Sequence, residues 1–92
     1  MQRLQIKVTH EIGLHARPAS LLVSQAAQYS AEIRIRNLTS GSDWADAKSI
    51  LGVLGLGVEK DHEVDLSAEG LDEQQAISDL RQLILNLASE PA

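Results

Sequence analysis

His15 and Arg17 are the two side chains of this 92-residue sequence best matched for chemistry. A neutral imidazole is a nucleophile near physiological pH, and a guanidinium offers a planar fork of donors to an oxyanion. Both fall inside Gly13-Leu14-His15-Ala16-Arg17-Pro18, where an alternating apolar pattern gives way to helical spacing. A helix starting here leaves its first N–H groups unpaired and adds roughly half a positive charge from the macrodipole. The backbone of Ala16, Arg17 and Pro18 therefore frames an anion site around the imidazole, suited to a phosphoryl group carried on the ring. The same positive surroundings disfavour a protonated ring, so His15 is expected to stay neutral and ready to attack. Arg17 would bias the ring in that sense and pair with phosphoryl oxygens during transfer. Gly13 is expected to permit a close approach of strand to helix, and Pro18 suits a first turn, where a missing N–H costs nothing. Taken alone, His-x-Arg also fits a histidine that merely caps the helix beside a solvated arginine.

Ser49 is a second candidate. It precedes Ile50-Leu51-Gly52-Val53-Leu54, so its hydroxyl can cap a short helix that ends among Gly55 and Gly57. A phosphate on that cap would suit the dipole and add about two negative charges with little refolding. Ile50, Leu51 and Leu54 form either an exposed apolar docking patch beside His15 or part of the core. Other residues are set aside. His10-Glu11 and His62-Glu63 lack metal-ligand spacing in a chain without cysteine and are read as surface polar residues. Gly52, Gly55 and Gly57 do not form a nucleotide-binding fingerprint, and Asp72, Glu73 and Asp79 are read as dipole complement and solvated face. Trp44 is read as a packing residue.

The elements that must position these groups follow from periodicity. Residues 3–9 alternate as a strand with Leu4, Ile6 and Val8 on one face, and residues 16–28 follow with helical spacing. Residues 31–36 alternate again, a loop over 37–43 turns back into a short strand near 44–47, and the Ser49-capped helix comes next. Residues 64–68 form a fourth strand. A capping box of Asp72 and Gln75 opens the last helix, which carries Ala76, Ile77, Leu80, Leu83, Ile84 and Leu87. Residues 88–92 are expected to be a frayed tail. The order βαββαβα predicts an α+β open-faced two-layer sandwich, a four-stranded antiparallel sheet with three helices on one face.

Size and composition fit one domain over residues 1–92, with 43% hydrophobic and 23% charged residues. The absence of cysteine removes disulfides and thiolate sites and favours a reducing cytoplasm. Neither a signal peptide nor a membrane span is visible. A net charge of −5 with one Trp, one Tyr and no Phe argues against a nucleic-acid partner.

Taken together, Gly13 to Pro18 closely resembles the active-site motif of the HPr family, the histidine phosphocarriers of the bacterial phosphoenolpyruvate-dependent sugar phosphotransferase system. Lys48-Ser49-Ile50-Leu51-Gly52-Val53-Leu54-Gly55-Leu56-Gly57 is similar to the family's second signature. Ser67-Ala68-Glu69-Gly70 with Asp72-Glu73-Gln74 and Ala76 is similar to its last strand and helix start. The resemblance implies a stoichiometric carrier, not an enzyme, phosphorylated on His15 by phospho-enzyme I and discharged to the IIA component of a sugar permease, with no cofactor or metal of its own. It also implies regulation at Ser49 by an ATP-dependent serine kinase/phosphorylase and a catabolite-control transcription factor as a further partner. Relatives with purely regulatory roles, and carriers for non-sugar branches such as dihydroxyacetone phosphorylation or nitrogen-linked signalling, are the alternatives. The loop over residues 37–46 is about three residues longer than in the common free-standing form and resembles HPr-like modules of fructose-specific proteins.

Overall fold

The structure, a computed structural model, describes residues 1–87; the tail expected over residues 88–92 lies outside the described residues. Its elements run β1 (Gln2–Lys7), α1 (Ala16–Ala26), β2 (Glu32–Asn37), β3 (Ala45–Asp46), α2 (Ile50–Leu54), β4 (Glu63–Glu69) and α3 (Glu73–Leu87). The alternating segments become strands and the 3.6-period segments become helices, in the expected order. The strands form one antiparallel sheet in the order β1-β4-β2-β3. β4 is central, with Leu66 opposite Leu4 of β1 on one side and Ile35 of β2 on the other.

Leu4 and Ile6 of β1, Ile33 and Ile35 of β2, and Val64, Leu66 and Ala68 of β4 face the helices. α1 presents Pro18, Ala19, Leu22 and Ala26 to them, and α3 presents Ala76, Leu80, Ile84 and Leu87. Burying each large aliphatic side chain of this layer stabilises the fold by roughly 1.5–3 kcal/mol. α3 packs on β1 and β4, α1 lies against α3 and α2, and α2 adjoins β3. The architecture is thus an open-faced α+β sandwich.

The opposite face of the sheet carries charge. Asp65 of β4 is fully buried there because Arg3 and Arg36, from the strands on either side, both donate to its Oδ2. Trp44 covers them, with the guanidinium carbons of Arg3 and Arg36 5.5 and 4.6 Å from its ring centroid. The residue therefore packs, as expected of it.

The capping box expected of Asp72 and Gln75 does not form. The Asp72 carboxylate instead accepts the N–H groups of Ser30 and Ala31, each at 2.8 Å, and ties the start of β2 to the start of α3. Gln75 donates to Asp79 one turn on, and Glu73 reaches back to accept from the Gly70 N–H at 3.2 Å. Two backbone donors just ahead of β2, distant in sequence, attract the Asp72 carboxylate more than the local helix start does, a competition invisible in a four-residue window.

Candidate phosphoryl-acceptor site

His15 is the N-cap of α1, in extended conformation (φ −120°, ψ 164°), and its side chain makes no capping hydrogen bond. The half-buried imidazole is therefore not consumed in holding the helix start, unlike the capping histidine that the bare spacing also fits. The first turn of α1 contains no acidic residue, so no side-chain carboxylate there competes with an incoming anion for the unpaired N–H groups. Arg17 stands exposed on that turn. Pro18 is buried and has no amide hydrogen, which narrows the expected backbone donors to Ala16 and Arg17.

The residue after His15 departs from ordinary helix geometry. Ala16 has φ +49°, the left-handed region that residues with a Cβ rarely occupy, at a cost of order 1–3 kcal/mol. Anchors on both sides hold it there. Leu14 is fully buried and donates its N–H to the Val58 carbonyl at 3.0 Å, while Pro18 and Ala19 are buried on the far side. Gly13, at φ +64°, has no room for a side chain: a Cβ would lie 2.1 Å from the Val58 oxygen and 2.6 Å from the Glu59 Cα. The close approach that Gly13 permits is thus to the backbone between α2 and β4, not of strand to helix, because that segment folds under the His15 loop. Nothing in the identity of Ala16 signals its conformation; only the fixed flanks do.

Ser49 is the N-cap of α2, and its Oγ accepts from the Gly52 N–H at 3.1 Å. Of the apolar residues that follow, Val53 is buried, whereas Ile50, Leu51 and Leu54 are 38%, 79% and 36% exposed. The three form a surface patch, not core, on the helix that packs against α1. Ile12, 39% exposed, adds an apolar side chain to the loop leading into His15.

His10 and His62 correct the reading of both as surface polar residues. His10 is 4% exposed, and its Nδ1 accepts from the Ile12 N–H at 3.2 Å, closing the turn ahead of Gly13. His62 is half-buried, and its Nδ1 accepts from the Glu59 N–H at 3.2 Å. A side-chain acceptor beside a turn donor is the signal that identifies such residues, and it requires the turn geometry to be known. Among the described residues no group of His, Asp and Glu side chains is placed to hold a metal ion, and no helix is long and apolar enough to cross a membrane.

A family model described as "PTS HPr component phosphorylation site" matches residues 2–86. The chain is 38% identical over 87 residues to the "Phosphocarrier protein HPr" of Buchnera aphidicola, covering 95% of this chain and 99% of the relative. It is 39% identical over 79 residues to the "Multiphosphoryl transfer protein" of Haemophilus influenzae, covering 86% of this chain but 16% of that longer protein. Among solved structures, HPr-C-His from Thermoanaerobacter tengcongensis superposes with a TM-score of 0.92 at 39% identity over the full length of both chains.

Proposed function

The chain belongs to the HPr family of phosphotransferase-system phosphocarriers, and on that premise we propose that His15 accepts a phosphoryl group from phospho-enzyme I and passes it to a sugar-specific IIA component. A ring nitrogen of His15 forms the new P–N bond as the bond to the donor's phosphorylated group breaks, and the reverse exchange at the IIA component restores the free imidazole. The carrier is unchanged after each round.

In this reading the protein supplies position and charge, since phosphoryl transfer passes through a transition state with charge spread over the equatorial oxygens. The N–H groups of Ala16 and Arg17 and the Arg17 guanidinium are the donors for those oxygens. The supporting observation is His15 at the N-cap with its side chain left out of the cap, on a turn free of acid. Incubation with enzyme I and phosphoenolpyruvate is expected to place an acid-labile, base-stable phosphate on His15; a chain left unlabelled by several enzyme I sources would overturn the assignment.

Ser49 is proposed as the regulatory site. A phosphate on its Oγ would keep the Gly52 N–H as a donor and set about two negative charges beside Ile50, Leu51 and Leu54, the face proposed for partner docking. Ser49→Asp is expected to slow charging by enzyme I while leaving the melting temperature nearly unchanged; equal rates for Ser49→Asp and the parent chain would remove this role.

A further inference from the structure

Two segments meet beneath His15. The Val8 N–H donates to the His62 carbonyl at 2.8 Å, the Asp61 N–H returns to the Val8 carbonyl at 2.7 Å, and the Leu14 N–H donates to the Val58 carbonyl at 3.0 Å. With Gly13 pressed against Val58 and Glu59, any displacement of the turn over residues 58–62 is passed to Leu14 and so to His15.

His62 fixes that turn from two directions. Its own N–H donates to the Glu59 carbonyl at 3.0 Å, and its Nδ1 accepts from the Glu59 N–H. The same Nδ1 stands 3.1 Å from Nδ2 of Asn37, a fully buried residue at the end of β2. The orientation of the Asn37 amide is settled by its other partners: Nδ2 donates to the Leu56 carbonyl at 3.1 Å and Oδ1 accepts from the Ser40 N–H at 3.2 Å. An N–H therefore faces His62 from both sides, and Nδ1 serves as the acceptor with the ring proton on Nε2.

We propose that His62 is a positioning residue for His15: its Nδ1, held between the Glu59 N–H and the Asn37 amide, locks the 58–62 turn against the loop that aims the phosphoryl-accepting imidazole. This role presupposes phosphoryl transfer at His15.

The test compares His62→Ala with His62→Asn, whose Oδ1 stands where Nδ1 does and offers the same acceptor. Each full-length variant is followed by amide hydrogen exchange at Leu14 and by the rate at which enzyme I charges it from phosphoenolpyruvate. His62→Ala is expected to speed exchange at Leu14 about tenfold relative to the amides of β4, and to lower kcat/KM for charging by a similar factor, as losing one or two hydrogen bonds predicts. His62→Asn is expected to restore both. Unchanged Leu14 exchange in His62→Ala, changed exchange with an unchanged charging rate, or an Asn variant as impaired as the Ala variant would each overturn the proposal. If His62→Ala does not fold, His62→Asn decides: parental exchange and charging support the role, and impairment of either overturns it. If enzyme I charges neither the parent chain nor the variants, the phosphocarrier reading fails separately, and the Leu14 exchange still decides whether His62 fixes the loop.

Discussion

An imidazole at a helix N-cap can serve either the helix or a ligand, and the side chain of His15 makes no capping bond, as its proposed role as phosphoryl acceptor requires. His15→Ala is accordingly expected to abolish phosphoryl acceptance and to leave the urea midpoint nearly unchanged; a large loss of stability would show the ring to be structural. Arg17→Ala is expected to slow charging by about a hundredfold, the usual effect of removing one donor to a transition-state oxyanion, and Arg17→Lys to recover only part of it because the planar fork is lost. Steady-state charging by enzyme I measures both. At this scale the sequence was informative about where His15 and Arg17 sit, at the start of α1 and exposed on its first turn, because a six-residue neighbourhood marks the junction. It was silent about Ala16, whose left-handed conformation is imposed by Leu14 against Val58 and by the buried Pro18. It also misled about His10 and His62, since a polar residue beside a carboxylate looks solvated until the turn it closes is visible.

Elements were legible wherever one face of the chain is apolar. The limits lay at their ends, where polar groups choose among distant donors. Asp72 shows this: hydrogen bonds from the Ser30 N–H first, and from the Ala31 N–H and Ser30 hydroxyl, hold its carboxyl below the usual carboxylate range. A carboxyl whose pKa is depressed by folding adds stability above its unfolded value, near about 4, and loses it as the pH falls through the folded value. The parent chain and Asp72→Asn are therefore expected to differ in urea midpoint at neutral pH and to converge in acid as the Asp72 carboxyl becomes protonated in the folded chain, as read by circular dichroism. A constant difference across that range would show that charge on Asp72 is irrelevant to the turn. Ser49→Ala should loosen α2 at a cost of about 1 kcal/mol, the worth of one N-cap, with hydrogen exchange rising first at Gly52.

For the molecule as a whole, the two sides of the sheet divide the work. The helical side carries His15, Ser49 and the exposed apolar patch, and the open side is closed over by Arg3, Arg36, Asp65 and Trp44. Asp65→Ala frees two arginines that are already partly in water, 51% and 34% exposed, so it is expected to lower stability by only about 2 kcal/mol while leaving the charging rate untouched. A fall in rate at saturating enzyme I would show that the faces are coupled. The four strands could be read from alternation and their antiparallel sense from the order of elements, but the central position of β4 could not. Its burial on both sides depends on Asp65 and Ser67, polar residues that look solvent-facing until neighbouring strands supply the cover.

That central position has a consequence for biogenesis. Arg3 meets Asp65 across 62 positions of chain, and β2 likewise finds most of its ladder on β4. On a ribosome β1 would wait unpaired until β4 emerges, and β2 would have only the short β3 beside it. Assembly of the sheet thus waits for β4, and a nascent chain stalled before residue 63 would offer bare strand edges to chaperones or to other chains.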